Sequence, residues 1–174
     1  WAMARYWSKY IDKLIIISAP HPIRFRDVLE SSPKQKLKSS YIQFFRLPIL
    51  PEVFINRRFN FLSKYIFGRE LTLTEKAAYH KIFPAWHSFT LPLHYYRALF
   101  KEHRFNDKPL DKIPPACLVI WGEKDPFFIP AQWQKLEPFF ETTPAVIKIK
   151  NAYHFPHWDH PEKVNDLIVK FLLD

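Results

Sequence analysis

The chain has 174 residues and a mass of 21.0 kDa, which fits one domain with a sizeable core rather than several independent domains. Its apolar fraction of 48% and charged fraction of 25% are ordinary for globular proteins and argue against a disordered or fibrous chain. No apolar run approaches the roughly 20 residues that a membrane-spanning helix needs. A single cysteine, Cys117, excludes an internal disulfide.

The net charge of +9 would permit contact with nucleic acid or an anionic membrane. The 26 Lys and Arg residues are nevertheless spread along the chain, without a dense basic block or a zinc-finger spacing. A solvated basic surface is therefore favoured, and no nucleic-acid partner is expected. With two glycines in the whole chain, a glycine-rich phosphate loop is excluded. The chain begins at Trp1 without an initiator Met, so we expect the natural protein to start further upstream.

A helix is predicted over residues 1–10, because its large side chains recur at a spacing consistent with a buried helix. Residues 13–18 follow as a continuous apolar run, which is typical of a parallel strand buried on both faces. The segment 20–109 differs in kind, since it contains helical patterns, proline-bearing turns and many aromatic residues but no convincing strand. Such an insertion suggests a lid over an α/β sheet, whose aromatic residues either line an apolar pocket or form its own core.

Two further buried strands are predicted over residues 116–121 and 145–150. A helix over Pro161–Leu173 ends the chain, with Pro161 suited to its first turn. Its apolar residues recur along one face, at Val164, Leu167, Ile168, Phe171 and Leu172. The pattern predicts an α/β fold with parallel strands and flanking helices.

Asp125 is the first candidate site residue, because it comes just after the second predicted strand. A carboxylate at that position can accept the imidazole N–H of a histidine and fix its tautomer. The alternative is a turn aspartate that precedes Pro126.

His154 follows the third predicted strand and is the candidate general base. From there it can reach the carboxylate of a neighbouring strand on one side and water on the other. His157 and His160 also invite a metal site, but Pro156 interrupts the spacing and the sole cysteine lies within a strand. We therefore expect no metal and no other cofactor.

A nucleophile for this pair is missing from the sequence. Acyl or alkyl transfer needs one on a tight, glycine-flanked elbow, together with backbone donors for an oxyanion. The Ser- and Thr-containing segments lack such glycines, and Cys117 fits an inert buried thiol.

These features resemble the C-terminal part of the epoxide hydrolase branch of the α/β-hydrolase superfamily, over essentially the whole chain. Residues 1–22 are similar to the helix after the nucleophile elbow, the next strand and the "PHP" entrance to the lid. Residues 40–48 and 94–98 resemble two lid-tyrosine segments, residues 119–125 the acid loop and residues 154–162 the histidine loop. The resemblance implies that residues 1–19 and 110–174 belong to the α/β-hydrolase core and that residues 20–109 form its helical lid.

The resemblance also implies a cofactor-independent reaction in two steps. An aspartate attacks the epoxide while two lid tyrosines donate hydrogen bonds to the opening oxygen, and water activated by histidine then hydrolyses the ester. On this chain Tyr41 and Tyr96 would be the tyrosines, His154 the base and Asp125 its orienter. Tyr95 is the alternative to Tyr96, and a role in the core of the lid is the alternative for each tyrosine.

The departures from the family pattern produce further expectations. The nucleophilic aspartate and the oxyanion loop would both precede Trp1, so a polypeptide of only these 174 residues should be inactive and poorly soluble. Tyr153 replaces the usual glycine before the base, where it could tilt or crowd His154.

Several functions remain open beside hydrolysis of a small apolar epoxide. They are a haloalkane or haloacid dehalogenase with Trp86 and His87 as halide donors, an esterase, and a non-catalytic ligand-binding member of the superfamily. Membrane association would require a segment outside this sequence. The compartment is open, with an intracellular location favoured, either cytoplasmic or membrane-associated at the endoplasmic reticulum.

Overall fold

The computed structural model describes residues 1–98 and 112–174. Within them, three parallel strands form one sheet in the order β1-β2-β3. The strands are β1 Lys13–Ile17, β2 Ala116–Gly122 and β3 Ala145–Ile149. All three predicted strands are confirmed to within one residue at their ends. Their continuous apolar runs are read correctly because a strand covered on both faces needs no polar alternation.

The helices described are α1 Ala2–Tyr6, α2 Pro22–Ser31, α3 Pro33–Lys38, α4 Ser40–Phe45, α5 Leu50–Arg57, α6 Phe59–Phe67, α7 Leu73–Ile82, α8 Thr90–Ala98, α9 Pro156–Asp159 and α10 Pro161–Leu173. Short 3₁₀ turns occupy Ser8–Tyr10, Trp86–Phe89, Pro130–Trp133 and Glu137–Phe139. Proline opens α2, α3, α9 and α10, where its missing N–H has no intrahelical partner to lose. No helix in the described ranges is both long and apolar enough to cross a membrane.

The sheet has an apolar cluster on each face, because successive residues of β2 point to opposite sides. Cys117, Val119 and Trp121 pack on one side with Trp133, Leu136 and Phe140. Leu118 and Ile120 pack on the other side with Ile149, Ala152 and Val164. The central strand is therefore buried on both faces up to its carboxyl end, so the loop that follows it starts from a rigid support.

Helix α10 is confirmed over Pro161–Leu173, and its apolar residues pack against the second cluster. Val164 is fully buried there, with Leu167, Ile168 and Phe171 packed beside it. Leu172, which was assigned to the same face, is instead 51% exposed. It lies in the last turn beside Phe171, which does pack against the cluster.

The single helix predicted over residues 1–10 is wrong. Helix α1 ends at Tyr6, Trp7 leaves helical geometry with φ −134° and ψ 33°, and a 3₁₀ turn follows. The break rotates the later side chains off the face that continuous periodicity would give them. Only Ala4 is buried, whereas four of the large residues expected inside are exposed: Met3, Tyr6, Trp7 and Tyr10.

The described chain divides into two compact units. The first contains Trp1–Lys36 and residues 112–174 and carries the sheet; the second contains residues 37–98 and is helical. The first unit thus includes residues 20–36, which the sequence analysis placed in the helical insertion. Arg24 of α2 shows this packing, since its guanidinium donates to the Ala131 carbonyl at 3.1 and 3.0 Å. The predicted end of the insertion at residue 109 lies outside the described residues.

Candidate active site

A tight turn after β2 places Asp125. The Asp125 N–H donates to the Gly122 carbonyl at 3.1 Å, and the Lys124 N–H donates to the Ala152 carbonyl at 2.8 Å. The turn is thereby bonded to the loop that follows β3. The Asp125 side chain is fully buried as a result.

Gly122 allows these two loops to approach each other. A Cβ at this position would lie 1.9 Å from the Tyr153 carbonyl oxygen and 2.6 Å from that of Ala152. Both obstacles are backbone atoms, so no side chain could move aside. The position therefore requires glycine for space. The absence of a side chain lets β2 and the loop that carries His154 lie close together.

Asp125 and His154 form a hydrogen-bonded pair. The Nδ1 atom of His154 lies 2.9 Å from Oδ2 of Asp125. The other carboxylate oxygen, Oδ1, accepts hydrogen bonds from the N–H groups of Phe127 at 2.7 Å and Phe128 at 3.3 Å. A neutral imidazole that donates from Nδ1 keeps its Nε2 lone pair free to accept a proton, as a general base must.

The surroundings of His154 are aromatic. Phe127 and Phe155 each lie with ring centroids 4.8 Å from the imidazole, in edge-to-face orientations. The histidine side chain is 22% exposed. Its orientation is therefore fixed on the aspartate side, while part of the ring stays accessible to a substrate or to water.

Two backbone features bring His154 to this place. Asn151 adopts φ 63°, a left-handed conformation that asparagine tolerates better than most residues. The Tyr153 N–H then donates to Oδ2 of Asp159 at 2.6 Å. Tyr153 is not among the residues with positive φ, so its backbone does not require glycine. With tyrosine before it, His154 still reaches Asp125 at 2.9 Å.

Tyr41 and Tyr96 lie together in the second unit. Tyr41 belongs to α4 and Tyr96 to α8, and their ring centroids are 6.0 Å apart at an interplanar angle of 80°. Phe45 packs edge-on against both rings. Burial raises the pKa of the Tyr96 hydroxyl, so this group stays protonated and able to donate at neutral pH. Tyr95, its alternative, is 68% exposed.

A buried ion pair holds the helix that carries Tyr96. The Arg97 guanidinium donates to Oε1 of Glu52 at 2.8 Å and to the Leu47 carbonyl at 2.7 Å. Burial is the largest single influence and would raise the pKa of Glu52, but the hydrogen bonds from Arg97, from the backbone and from Thr90 and the charge of Arg97 together hold the pKa below its ordinary value. The pair joins α8 to α5, and it fixes the register of Tyr96 within this unit.

Comparison with known proteins now identifies the family. A sequence model described as the alpha/beta hydrolase family matches residues 2–167. The chain belongs to this family. Epoxide hydrolase 3 of Xenopus tropicalis is 31% identical over 182 residues, which cover 99% of this chain and 49% of that protein. Epoxide hydrolase 2 of Caenorhabditis elegans is 29% identical, over 99% of this chain and 50% of that protein.

The solved structures agree with this assignment. A crystal structure of a mutant epoxide hydrolase from Bacillus megaterium matches with a TM-score of 0.79 and 25% identity, covering 100% of this chain and 65% of that one. The predicted α/β-hydrolase fold and the resemblance to its epoxide hydrolase branch are confirmed. The chain spans about half the length of the curated relatives it matches.

The other cysteine and histidine side chains considered in the sequence analysis lie in surroundings that suit a structural role. Burial raises the pKa of the Cys117 thiol to about 12, so it stays protonated and is a poor nucleophile at neutral pH. His157 packs edge-on against Phe155, and His160 precedes α10. Among the residues described, no group of three or more His, Cys, Asp or Glu could hold a metal ion.

Sequence reasoning missed three residues that shape the candidate site. Gly122 was included only in the acid-loop range 119–125, Asp159 only in the histidine-loop range 154–162, and Gln35 was not noted. Gln35 lies between Lys34 and Lys36, a pattern that indicates a solvated helix face, yet its side chain is fully buried. No local signal marks it, because its bonding partners are more than 90 residues away in sequence.

Proposed function

We propose that the protein containing this chain is an epoxide hydrolase that opens small apolar epoxides to diols without a cofactor. The observation that carries the proposal is the pairing of Tyr41 with Tyr96, at 6.0 Å between ring centroids, in a chain similar to named epoxide hydrolases. A pair of phenolic donors suits an opening epoxide oxygen, on which negative charge develops. The bonded His154 and Asp125 supply the base that the second step needs.

The first step in this proposal is alkylation. An aspartate carboxylate, in a segment that would precede Trp1, attacks one epoxide carbon as the C–O bond to that carbon breaks. The electron pair of the broken bond goes to the oxygen, which accepts hydrogen bonds from Tyr41 and Tyr96 and takes the proton of one of them, leaving a tyrosinate. The product is an ester between the aspartate and the ring-opened substrate.

The second step is hydrolysis of that ester. Nε2 of His154 takes a proton from water, and the resulting hydroxide attacks the ester carbonyl carbon. The ester bond to the substrate oxygen breaks, that oxygen takes the proton back from the imidazolium, and the diol leaves. The new carboxyl group loses its proton, which restores the tyrosinate to tyrosine, and the carboxylate is regenerated. Asp125 keeps Nδ1 protonated and stabilises the imidazolium, because its Oδ2 faces that nitrogen at 2.9 Å.

The test measures the rates of alkylation and of ester hydrolysis separately, in the full-length protein that contains this chain. With styrene oxide as the probe, we expect Tyr41→Phe and Tyr96→Phe each to slow alkylation by roughly 100-fold, the usual cost of removing one oxyanion donor. Tyr95→Phe, at the exposed neighbouring ring, is the matched control and should leave alkylation unchanged. Stopped-flow fluorescence and diol analysis measure the two rates.

Other outcomes would replace the proposal. Unchanged alkylation in both tyrosine variants would refute their role, and a loss only in Tyr95→Phe would move the role to Tyr95. Halide release from haloalkanes without diol formation would indicate a dehalogenase, and ester cleavage alone an esterase. Tight binding without turnover would indicate a ligand-binding protein. A polypeptide of only the 174 residues printed should form no diol, because it would lack the proposed nucleophile.

A further inference from the structure

Gln35 of α3 bonds through both ends of its amide to the loop that follows Asp125. Nε2 donates to the Phe127 carbonyl at 2.8 Å, and Oε1 accepts from the Ile129 N–H at 3.0 Å. The side chain is fully buried, so water does not compete for either bond. One amide therefore satisfies a backbone acceptor and a backbone donor two residues apart, as a neighbouring strand would.

The same loop holds the carboxylate. Phe127 donates its N–H to Oδ1 of Asp125 at 2.7 Å and accepts the Gln35 amide at its carbonyl. Rotation of the peptides on either side of Phe127 would break one of these bonds. With Oδ1 fixed by the loop, Oδ2 is left facing Nδ1 of His154.

The segment that carries Gln35 is itself anchored within the first unit. The Gln35 N–H donates to Oγ of Ser32 at 3.3 Å, in the first turn of α3. Arg24 of the preceding helix binds the Ala131 carbonyl, just beyond the bonded loop. Residues 24–35 thus hold residues 127–131 at two separate points, and Gln35 provides the one nearer to Asp125.

We infer that Gln35 is a positioning residue of the Asp125–His154 pair, acting through the backbone of residues 127–129. Without its amide, the Phe127 carbonyl and the Ile129 N–H would each lose this hydrogen bond, and the loop would shift to replace it with bonds to water. Asp125 would then lose its fixed orientation toward the imidazole. The kinetic part of this inference rests on the proposed function, since it assigns the pair to ester hydrolysis; the structural part does not.

Amide hydrogen exchange of the unmodified protein tests the structural part. The Ile129 N–H is expected to be protected, because its acceptor is a buried side chain that opens only with the loop. An Ile129 amide that exchanges as fast as those of exposed loops would refute the inference. This measurement needs no substrate and no substitution.

Gln35→Met tests the kinetic part, because methionine keeps the length of the side chain and removes both hydrogen bonds. The expected result is a roughly 10- to 100-fold slower ester hydrolysis, the size of effect that a misplaced catalytic group produces. Alkylation should stay within about twofold, since His154 is not needed until the second step; the alkyl-enzyme ester therefore accumulates. Exchange at Phe127 and Ile129 should accelerate at least about tenfold, the factor that corresponds to one lost hydrogen bond.

Gln132→Met is the matched control. Gln132 is also fully buried and lies in the 3₁₀ turn just after the loop, but its amide atoms have no hydrogen-bond partner among the described residues. Its substitution should leave both rates and the loop exchange unchanged. A general loss of folded protein in Gln35→Met would instead lower alkylation and hydrolysis by the same factor.

The two proposals fail in different ways. If the unmodified protein forms no diol, the proposed function is wrong, and loop exchange in Gln35→Met and Gln132→Met still decides the structural part. If diol forms and Gln35→Met hydrolyses the ester at the unmodified rate, the positioning role of Gln35 is wrong. Equal slowing in Gln35→Met and Gln132→Met would also overturn it. Should Gln35→Met fail to fold, the exchange of Ile129 in the unmodified protein decides the inference.

Discussion

The burial of His21 makes the free energy of unfolding depend on pH, because a protonated imidazole is unfavourable in the core. The imidazole is 4% exposed and stacks face to face on Phe139, with ring centroids 4.3 Å apart. Burial, with smaller contributions from the charges of the N-terminal ammonium of Trp1 and of Arg5, lowers its pKa to about 4 from 6.5. Between these two pH values the unfolded chain binds a proton that the folded protein rejects. Stability is therefore unaffected above about pH 6.5 and falls as the pH drops toward about 4.

His21→Phe should remove this dependence, because phenylalanine keeps the ring packing and cannot be protonated. We expect the variant to gain about 2 kcal/mol in free energy of unfolding relative to the unmodified protein when the pH is lowered from 8 to 5. Urea unfolding of both proteins at the two pH values measures the gain. An equal difference at both values would show that His21 is not held neutral.

Candidate site residues that directly follow a strand were predictable from the sequence. Residues whose partners are distant in the sequence were not. Asp125 and His154 were found because each follows an apolar run directly, at the edge where parallel strands place polar groups. Gln35 bonds to partners 92 and 94 positions away, and nothing around it in sequence separates it from a solvated residue. The need for glycine at position 122 is likewise set by the backbone of a loop about 30 residues later. The sequence gives no sign that this loop lies so close.

At the scale of elements, apolar pattern located the strands but not the breaks in helices. The three strands were read from uninterrupted apolar runs, a signal that survives any small error in register. Residues 1–10 have enough large side chains to satisfy a helical spacing in several ways, so their pattern could not reveal the break at Trp7. Nor could it show that Ala4 and Trp1 would pack against the core cluster while Tyr6, Trp7 and Tyr10 stay exposed.

Lys13 joins the first strand to the last helix. Its ammonium donates to the Phe171 and Leu172 carbonyls at 2.8 and 2.9 Å, in the last turn of α10. These carbonyls have no intrahelical donor, and the negative end of the helix dipole favours a cation there. Lys13→Met should therefore lower the free energy of unfolding by about 1 kcal/mol.

Chemical denaturation measures this loss, and hydrogen exchange in the last turn of α10 locates it. Lys163→Met, at an exposed position in the first turn of the same helix, is the matched control and should stay within about 0.5 kcal/mol. Equal losses in the two variants would mean that the contacts of Lys13 with the helix end contribute nothing specific.

At the scale of the whole molecule, the described residues leave one edge of strand β1 open. Among the residues described, β1 pairs with β2 on one side only, although apolar side chains cover both of its faces. Met3, Trp7 and Tyr10 are exposed near this strand in sequence. An unpaired backbone edge with apolar neighbours is a template for pairing with another chain. We therefore expect a polypeptide of only these 174 residues to self-associate. Light scattering after size exclusion should show assemblies whose mass rises with concentration. A monomer at all concentrations, with a cooperative unfolding transition, would contradict this prediction. It would mean that the backbone groups at this edge already have hydrogen-bond partners within the chain.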